Sequence, residues 1–127
     1  MAIPKKIISR KEEITKEFFT LLEKHMDDIL AGRTDKMYHI KDFAAALFIH
    51  AGHFSNTIKL TTGFSPCHFV EQRTLEKAKK MLLFNDMPIN EISYKLTFND
   101  PTNFTKFFKS FEGLTPKQFR KHHTENT

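Results

Sequence analysis

The chain has 127 residues, which is enough for one small domain but too short for a Rossmann-type or barrel enzyme. Its 20 basic and 15 acidic residues give a formal net charge of +5, and residues 73–121 hold most of the excess, with ten basic and five acidic residues. The single cysteine excludes an internal disulfide framework, and no apolar run approaches the ~18 residues of a membrane span, so we expect a cytoplasmic protein that binds a polyanion and no membrane.

The first predicted element is an amphipathic helix over residues 9–31. Ser9 and Glu12 have the spacing of a capping box, and Gly32 is placed to end the helix. The residues that recur at helical spacing between them are Ile14, Phe18, Leu21, Leu22, His25, Ile29 and Leu30. Because the polar face mixes charges of both signs, we interpret this as a supporting helix that packs on the rest of the domain.

The remainder of the chain contains one pattern twice. Residues 40–47 match residues 89–96 at an offset of 49, and later matches such as Gly63 with Gly113 fall at an offset of 50. Each copy predicts a short apolar helix, a tight turn and a second helix that ends at glycine, followed by a Ser/Thr-Pro helix start. This is the size and order of a helix-turn-helix unit.

The periodicity contains no convincing strand and predicts an all-α fold, with two helix-turn-helix subdomains joined by a long central helix. We expect one domain over residues 1–127. Its predicted parts are a first subdomain with the N-terminal helix at 9–64, a connecting helix at 65–84 and a second subdomain at 85–123. The helix pairs of the two subdomains are predicted at 40–48 with 52–61 and at 89–96 with 101–111.

Duplication on one connector favours DNA binding. A single helix pair is more often scaffolding. When two pairs are joined by one stiff connecting helix, however, the second helix of each pair can enter successive major-groove segments of a duplex, about 34 Å apart. One chain could then bind a non-palindromic site without a dimer. The phenylalanines at helical spacing are interpreted as core residues and not as a stacking platform for bases.

From residue 40 to residue 120 the sequence resembles the DNA-binding domain of the AraC/XylS transcription regulators. The strongest match lies in the second copy, which reads INEIS from Ile89, FNDPTNFTKFFK from Phe98 and GLTPKQFR from Gly113. The resemblance implies about seven helices in two subdomains and a sequence-specific regulator of transcription. For activators it also implies a contact with RNA polymerase.

The resemblance assigns residues 51–61 and 100–111 as recognition helices. The residues implied at the base edges are Gly52, His53, Ser55 and Asn56 in the first helix and Pro101, Thr102, Thr105 and Lys106 in the second. Asn56 can bond an adenine edge, and Lys106 can reach guanine O6 and N7. The residues expected at phosphates, where they make affinity salt-dependent, are Lys59, Arg73 and Lys109.

The sequence departs from the family pattern at both tight turns and at Thr74, where the family usually has an arginine in the central helix. Phe48 and Thr97 occupy the position of its tight-turn glycine in the first and second copies. Neither residue adopts a positive φ as readily as glycine, so we expect both turns to be looser or rearranged.

We expect neither catalysis nor a cofactor. His50 and His53 lack the further ligands of a metal site, and Cys67 with His68 shows no oxyanion loop around it. The alternative function is an all-helical protein–protein adaptor that uses the surface of the helix at 9–31 without touching DNA. We expect a monomer, either a short stand-alone regulator or a fragment of a longer one whose sensor domain could add dimerisation.

Overall fold

The computed structural model describes residues 9–125, and within that range it contains seven α-helices and no strand. In chain order the helices are α1 Arg10–Leu30, α2 Ile40–Ala46, α3 Ala51–Thr62, α4 Pro66–Phe84, α5 Ile89–Lys95, α6 Pro101–Glu112 and α7 Pro116–Glu125. The predicted all-α class is confirmed. Over the same residues, no helix combines the length and the apolar character needed to cross a bilayer.

Helix α1 begins and ends where its punctuation predicts. The Glu12 N–H donates to Ser9 Oγ at 3.1 Å, which satisfies one of the free donors of the first turn. At the other end Gly32 adopts a φ of 77°, and its N–H donates to Ile29 O at 3.1 Å. The buried residues of α1 form one stripe: Ile14, Phe18, Leu22, His25, Met26 and Ile29.

The described chain divides into two compact units. The first contains residues 9–27 and 38–71, and the second contains residues 28–37 and 72–125. The loop after α1 therefore belongs to the second unit, although it precedes the first helix pair in sequence.

Aromatic edge contacts build the core of the first unit. The ring of Phe18 lies 5.4 Å from that of Phe43 and 5.2 Å from that of Phe54, so α1, α2 and α3 meet at one point. Beside them the buried His25 stacks on Tyr38 at 4.0 Å, and its Nε2 accepts the Tyr38 N–H at 2.9 Å. These contacts hold the helix pair α2–α3 against α1.

The core of the second unit has the same kind of centre on different helices. The apolar cluster at this centre is built by α4, α5 with its C-cap, α6 and α7, and it comprises Leu75, Ala78, Leu82, Ile92, Leu96, Phe104, Phe108 and Phe119. Polar contacts tie the same helices together at the surface. Lys79 on α4 pairs with Glu112 on α6, and the Arg120 guanidinium on α7 donates from Nε to Leu82 O at 2.9 Å.

The expectation of rearranged turns is wrong. Phe48 and Thr97 adopt φ values of 59° and 71°, in the left-handed region that glycine normally supplies. Both turns close with the Schellman pattern, because the N–H of the following residue reaches a carbonyl five residues back at 3.0 Å: Ile49 to Ala44, and Phe98 to Ser93. These hydrogen bonds and the packing of the helix pairs hold the tight turn despite the strain of a side chain there.

Candidate nucleic-acid interface

Helix α3 is capped at both ends by the residues that flank it. His50 is the N-cap, and its Nδ1 accepts the Gly52 N–H at 3.3 Å, which requires the Nδ1 atom to be unprotonated. At the C-terminus Gly63 has a φ of 86°, and its N–H donates to Lys59 O at 2.9 Å. The helix is therefore a rigid segment of 12 residues with defined ends.

Helix α6 repeats this construction in the second unit. Asp100 is its N-cap, with Oδ1 accepting the Thr102 N–H at 2.7 Å, and Pro101 occupies the first helical position. Gly113 ends the helix with a φ of 78°, and its N–H donates to Lys109 O at 2.8 Å. The helix again has 12 residues, so the two copies present segments of equal length.

The predicted base-contacting residues of α3 lie on its solvent side. Phe54, Thr57 and Ile58 are buried against the unit, which fixes the rotation of the helix about its axis. Of the residues implied at DNA, those that this rotation leaves exposed are Gly52, His53, Asn56 and Lys59, while Ser55 is half-buried at the edge. Lys59 is the only formally charged side chain of this helix.

Helix α6 presents a comparable surface with more charge. Phe104 and Phe108 are buried. Of the residues implied at DNA, Thr102, Lys106 and Lys109 are exposed, and Pro101 and Thr105 are half-buried. Two lysines thus stand on this face where α3 has one.

Asn103 is a candidate base-contacting residue that the sequence interpretation passed over. It is exposed on α6 at the position that corresponds to His53 on α3, at the same offset of 50 that relates the two glycines. Its amide can bond an adenine edge in the major groove. Applying the repeat offset to every position of the first recognition helix would have found it.

Arg73 differs from the other predicted phosphate contacts. It lies on α4, is half-buried and already interacts with another part of the protein. The base and phosphate roles of all these residues stay predictions.

No metal centre competes for these side chains within residues 9–125, where three or more His, Cys, Asp or Glu side chains do not converge. His50 is engaged at the start of α3, and the Cys67 thiol is exposed on α4. The arrangement offers hydrogen-bond donors, amides and ammonium groups on two helix faces, which suits a polyanion with polar edges.

Comparison with known proteins places this arrangement. A family described as a helix-turn-helix domain matches residues 43–122. The chain is 28% identical over 119 residues to histidine kinase P4 of Formosa agariphila, a match that covers 94% of the chain and 8% of that protein. It is 28% identical over 115 residues to the uncharacterized HTH-type transcriptional regulator YisR of Bacillus subtilis, covering 91% of the chain and 37% of that protein. The chain therefore spans well under half the length of these curated relatives.

A solved structure shows the same fold. The C-terminal domain of AraT, a response regulator from Geobacillus stearothermophilus, superposes with a TM-score of 0.77 at 25% identity. The match covers 90% of this chain and 88% of that domain. The fold of this chain is thus shared by a domain of a bacterial response regulator.

Proposed function

Because the chain belongs to the AraC-type helix-turn-helix family of DNA-binding transcription regulators, we propose that it is the module with which a bacterial regulator binds specific sequences of duplex DNA. The observation that carries the proposal is the duplicated recognition helix. Both α3 and α6 are capped, 12 residues long and polar on the side that faces away from their units.

The two helices divide the work of binding. On α3, His53 and Asn56 offer side chains that distinguish base edges, and the helix carries little charge to hold a phosphate. On α6, Lys106 can reach a guanine edge, and Lys109 near the end of the helix can bind a phosphate of the DNA backbone. We therefore assign base discrimination mainly to the first unit and backbone affinity mainly to the second.

Binding uses successive segments of one duplex face. Each unit supplies one recognition helix, and one chain supplies both, so a monomer can occupy a site whose halves differ in sequence. Sedimentation of the complex at saturating DNA should give one chain per site. Two chains per site would contradict the monomer but leave DNA binding intact.

RNA polymerase is the further partner that we propose if the regulator is an activator, and the bacterial nucleoid in the cytoplasm is the proposed location. Transcription in vitro from a promoter that carries the selected site shows whether the protein activates or represses RNA polymerase. A rise in transcript when the protein is added indicates activation, and a fall indicates repression.

Selection of binding sites from random duplexes, followed by a salt titration, tests the function. Asn56→Ala should weaken the free energy of binding to the selected site by about 1–3 kcal/mol and change binding to scrambled DNA little. Lys109→Ala should weaken binding on every sequence and flatten the salt slope by about one unit.

Lys16→Ala is the matched control, because it removes an exposed lysine from α1, a helix that the proposal leaves off the DNA. It should change neither affinity nor slope. If the protein binds no DNA at about 50 mM salt, or binds every sequence equally, the proposed function is wrong. A co-purified protein partner in that case would favour the adaptor.

A further inference from the structure

Leu60 is an apolar side chain on the polar face of α3. It is 70% exposed, although it lies near the end of a well-packed helix. At 3.6 residues per turn, Leu60 lies about 20° around the helix axis from His53 and about 40° from Asn56. The three side chains therefore form one row along the surface that the proposed function turns toward DNA.

The packing of α3 explains why Leu60 points outward. Thr57 and Ile58 face the core, and the next residue, Thr61, shares a hydrogen bond with Thr15 of α1, with 2.6 Å between their hydroxyl oxygens. These contacts orient the helix from the other side of its axis. The exposure of Leu60 thus follows from the seating of α3 in the unit.

The second unit lacks this feature. The residue that corresponds to Leu60 on α6 is Ser110, whose hydroxyl donates to Phe107 O at 2.7 Å. Lys106 and Lys109 accompany Ser110 on α6, whereas Leu60 on α3 is accompanied by a single lysine. At this position the first recognition helix therefore carries a branched apolar group where the second carries a hydroxyl.

In the major groove the thymine C5 methyl is the apolar group that a base pair presents among its donors and acceptors. We propose that Leu60 contacts the methyl of a thymine and so selects that base. The inference rests on the proposed function and names one further residue that determines its specificity. Leu60 lies about 6 Å along the helix from Asn56, which places the thymine one or two base pairs beyond the pair that Asn56 contacts.

Deoxyuridine scanning of the selected site tests this contact, since deoxyuridine differs from thymidine only by the missing methyl. Each thymine of the half-site bound by the first unit is replaced in turn, and affinity is measured for the full 127-residue chain. For the unsubstituted protein, one position should weaken binding about three- to five-fold, as expected for one buried methyl group. Leu60→Ala should bind thymidine and deoxyuridine equally at that position.

Ser110→Ala, at the corresponding place on α6, is the matched control and should keep the full sensitivity. If the melting temperature of Leu60→Ala equals that of the unsubstituted protein, the lost sensitivity to the thymine methyl reflects the lost contact with Leu60 and not misfolding. If no thymine of the half-site is sensitive, or if Leu60→Ala remains as sensitive as the unsubstituted protein, the inference is overturned while sequence-specific binding stands. Loss of preference for any sequence would instead overturn the proposed function.

Discussion

At the scale of single residues, Phe48 carries both backbone strain and an unused apolar surface. It has a φ of 59° and is 94% exposed, so its ring contributes little packing to offset the strain. We predict that Phe48→Gly stabilises the protein by about 0.5–1 kcal/mol, because the relief of strain exceeds the entropy that glycine adds to the unfolded chain. Urea unfolding measures this change.

Gly63→Ala provides the opposite control for that measurement. Gly63 has a φ of 86°, and a Cβ added there meets nothing within 4 Å, so the substitution tests conformation without a clash. It should destabilise by about 1 kcal/mol. If Phe48→Gly lowers stability as well, the ring makes a contribution that its exposure does not reveal.

Ser93 is a second residue whose cost can be measured. It is fully buried in α5, and its Oγ has no hydrogen-bond partner among the residues that the structure describes. Ala44 occupies the corresponding position in the first unit and is equally buried. We predict that Ser93→Ala stabilises by roughly 1 kcal/mol and that Ala44→Ser destabilises by a similar amount. Equal melting curves for the unsubstituted protein, Ser93→Ala and Ala44→Ser would show that a buried hydroxyl costs no stability at either position.

At the scale of elements, Arg120 fastens the end of α4. Besides its bond to Leu82 O, its Nη2 donates to Asn85 O at 3.1 Å and to Met81 O at 3.4 Å, so one guanidinium satisfies carbonyls that the helix end leaves free. Arg120→Lys keeps the charge but replaces the planar fork by a single ammonium group. We predict a loss of about 1–2 kcal/mol in the free energy of unfolding.

Lys117→Ala is the control for that substitution, because Lys117 is exposed on the same helix. It should leave the unfolding transition in place. Equal stability of Arg120→Lys and the unsubstituted protein would mean that the three carbonyl contacts contribute nothing net.

The sequence predicted elements with local punctuation better than contacts between distant residues. The bounds of α1, α3 and α6 fall within one or two residues of expectation, because Gly32, Gly63 and Gly113 mark their ends. The turns were mispredicted because residue preference alone does not include the hydrogen bonds that hold Phe48. The contacts of Arg120 join residues more than 30 positions apart, and no local pattern reports such pairs.

The candidate site was predictable to the extent that it repeats. The residues implied at DNA on α3 and α6 were reached through the family resemblance, and their exposure agrees with a surface role. Asn103 was recoverable from the repeat offset, and the outward direction of Leu60 was recoverable from its helical spacing to His53 and Asn56. The packing of α3 agrees with that direction, because Leu60 is exposed while Phe54 and Ile58 are buried.

At the scale of the whole molecule, two recognition helices of different character suit a site with two different halves. The first helix offers amide, imidazole and apolar groups with one lysine, and the second offers hydroxyls, the Asn103 amide and two lysines. We therefore predict that the salt dependence of affinity follows the second unit and that discrimination among bases follows the first.

The central claim is that both units bind the same duplex and that each recognises a specific sequence. Competition binding tests it by comparing the selected site with duplexes in which one half or the other is scrambled. Scrambling the half bound by the first unit should lower affinity at least ten-fold with little change in salt slope. Scrambling the other half should also weaken binding, and Lys109→Ala should flatten the slope on every duplex by about one unit. If both scrambled duplexes compete as well as the intact site, the account is contradicted.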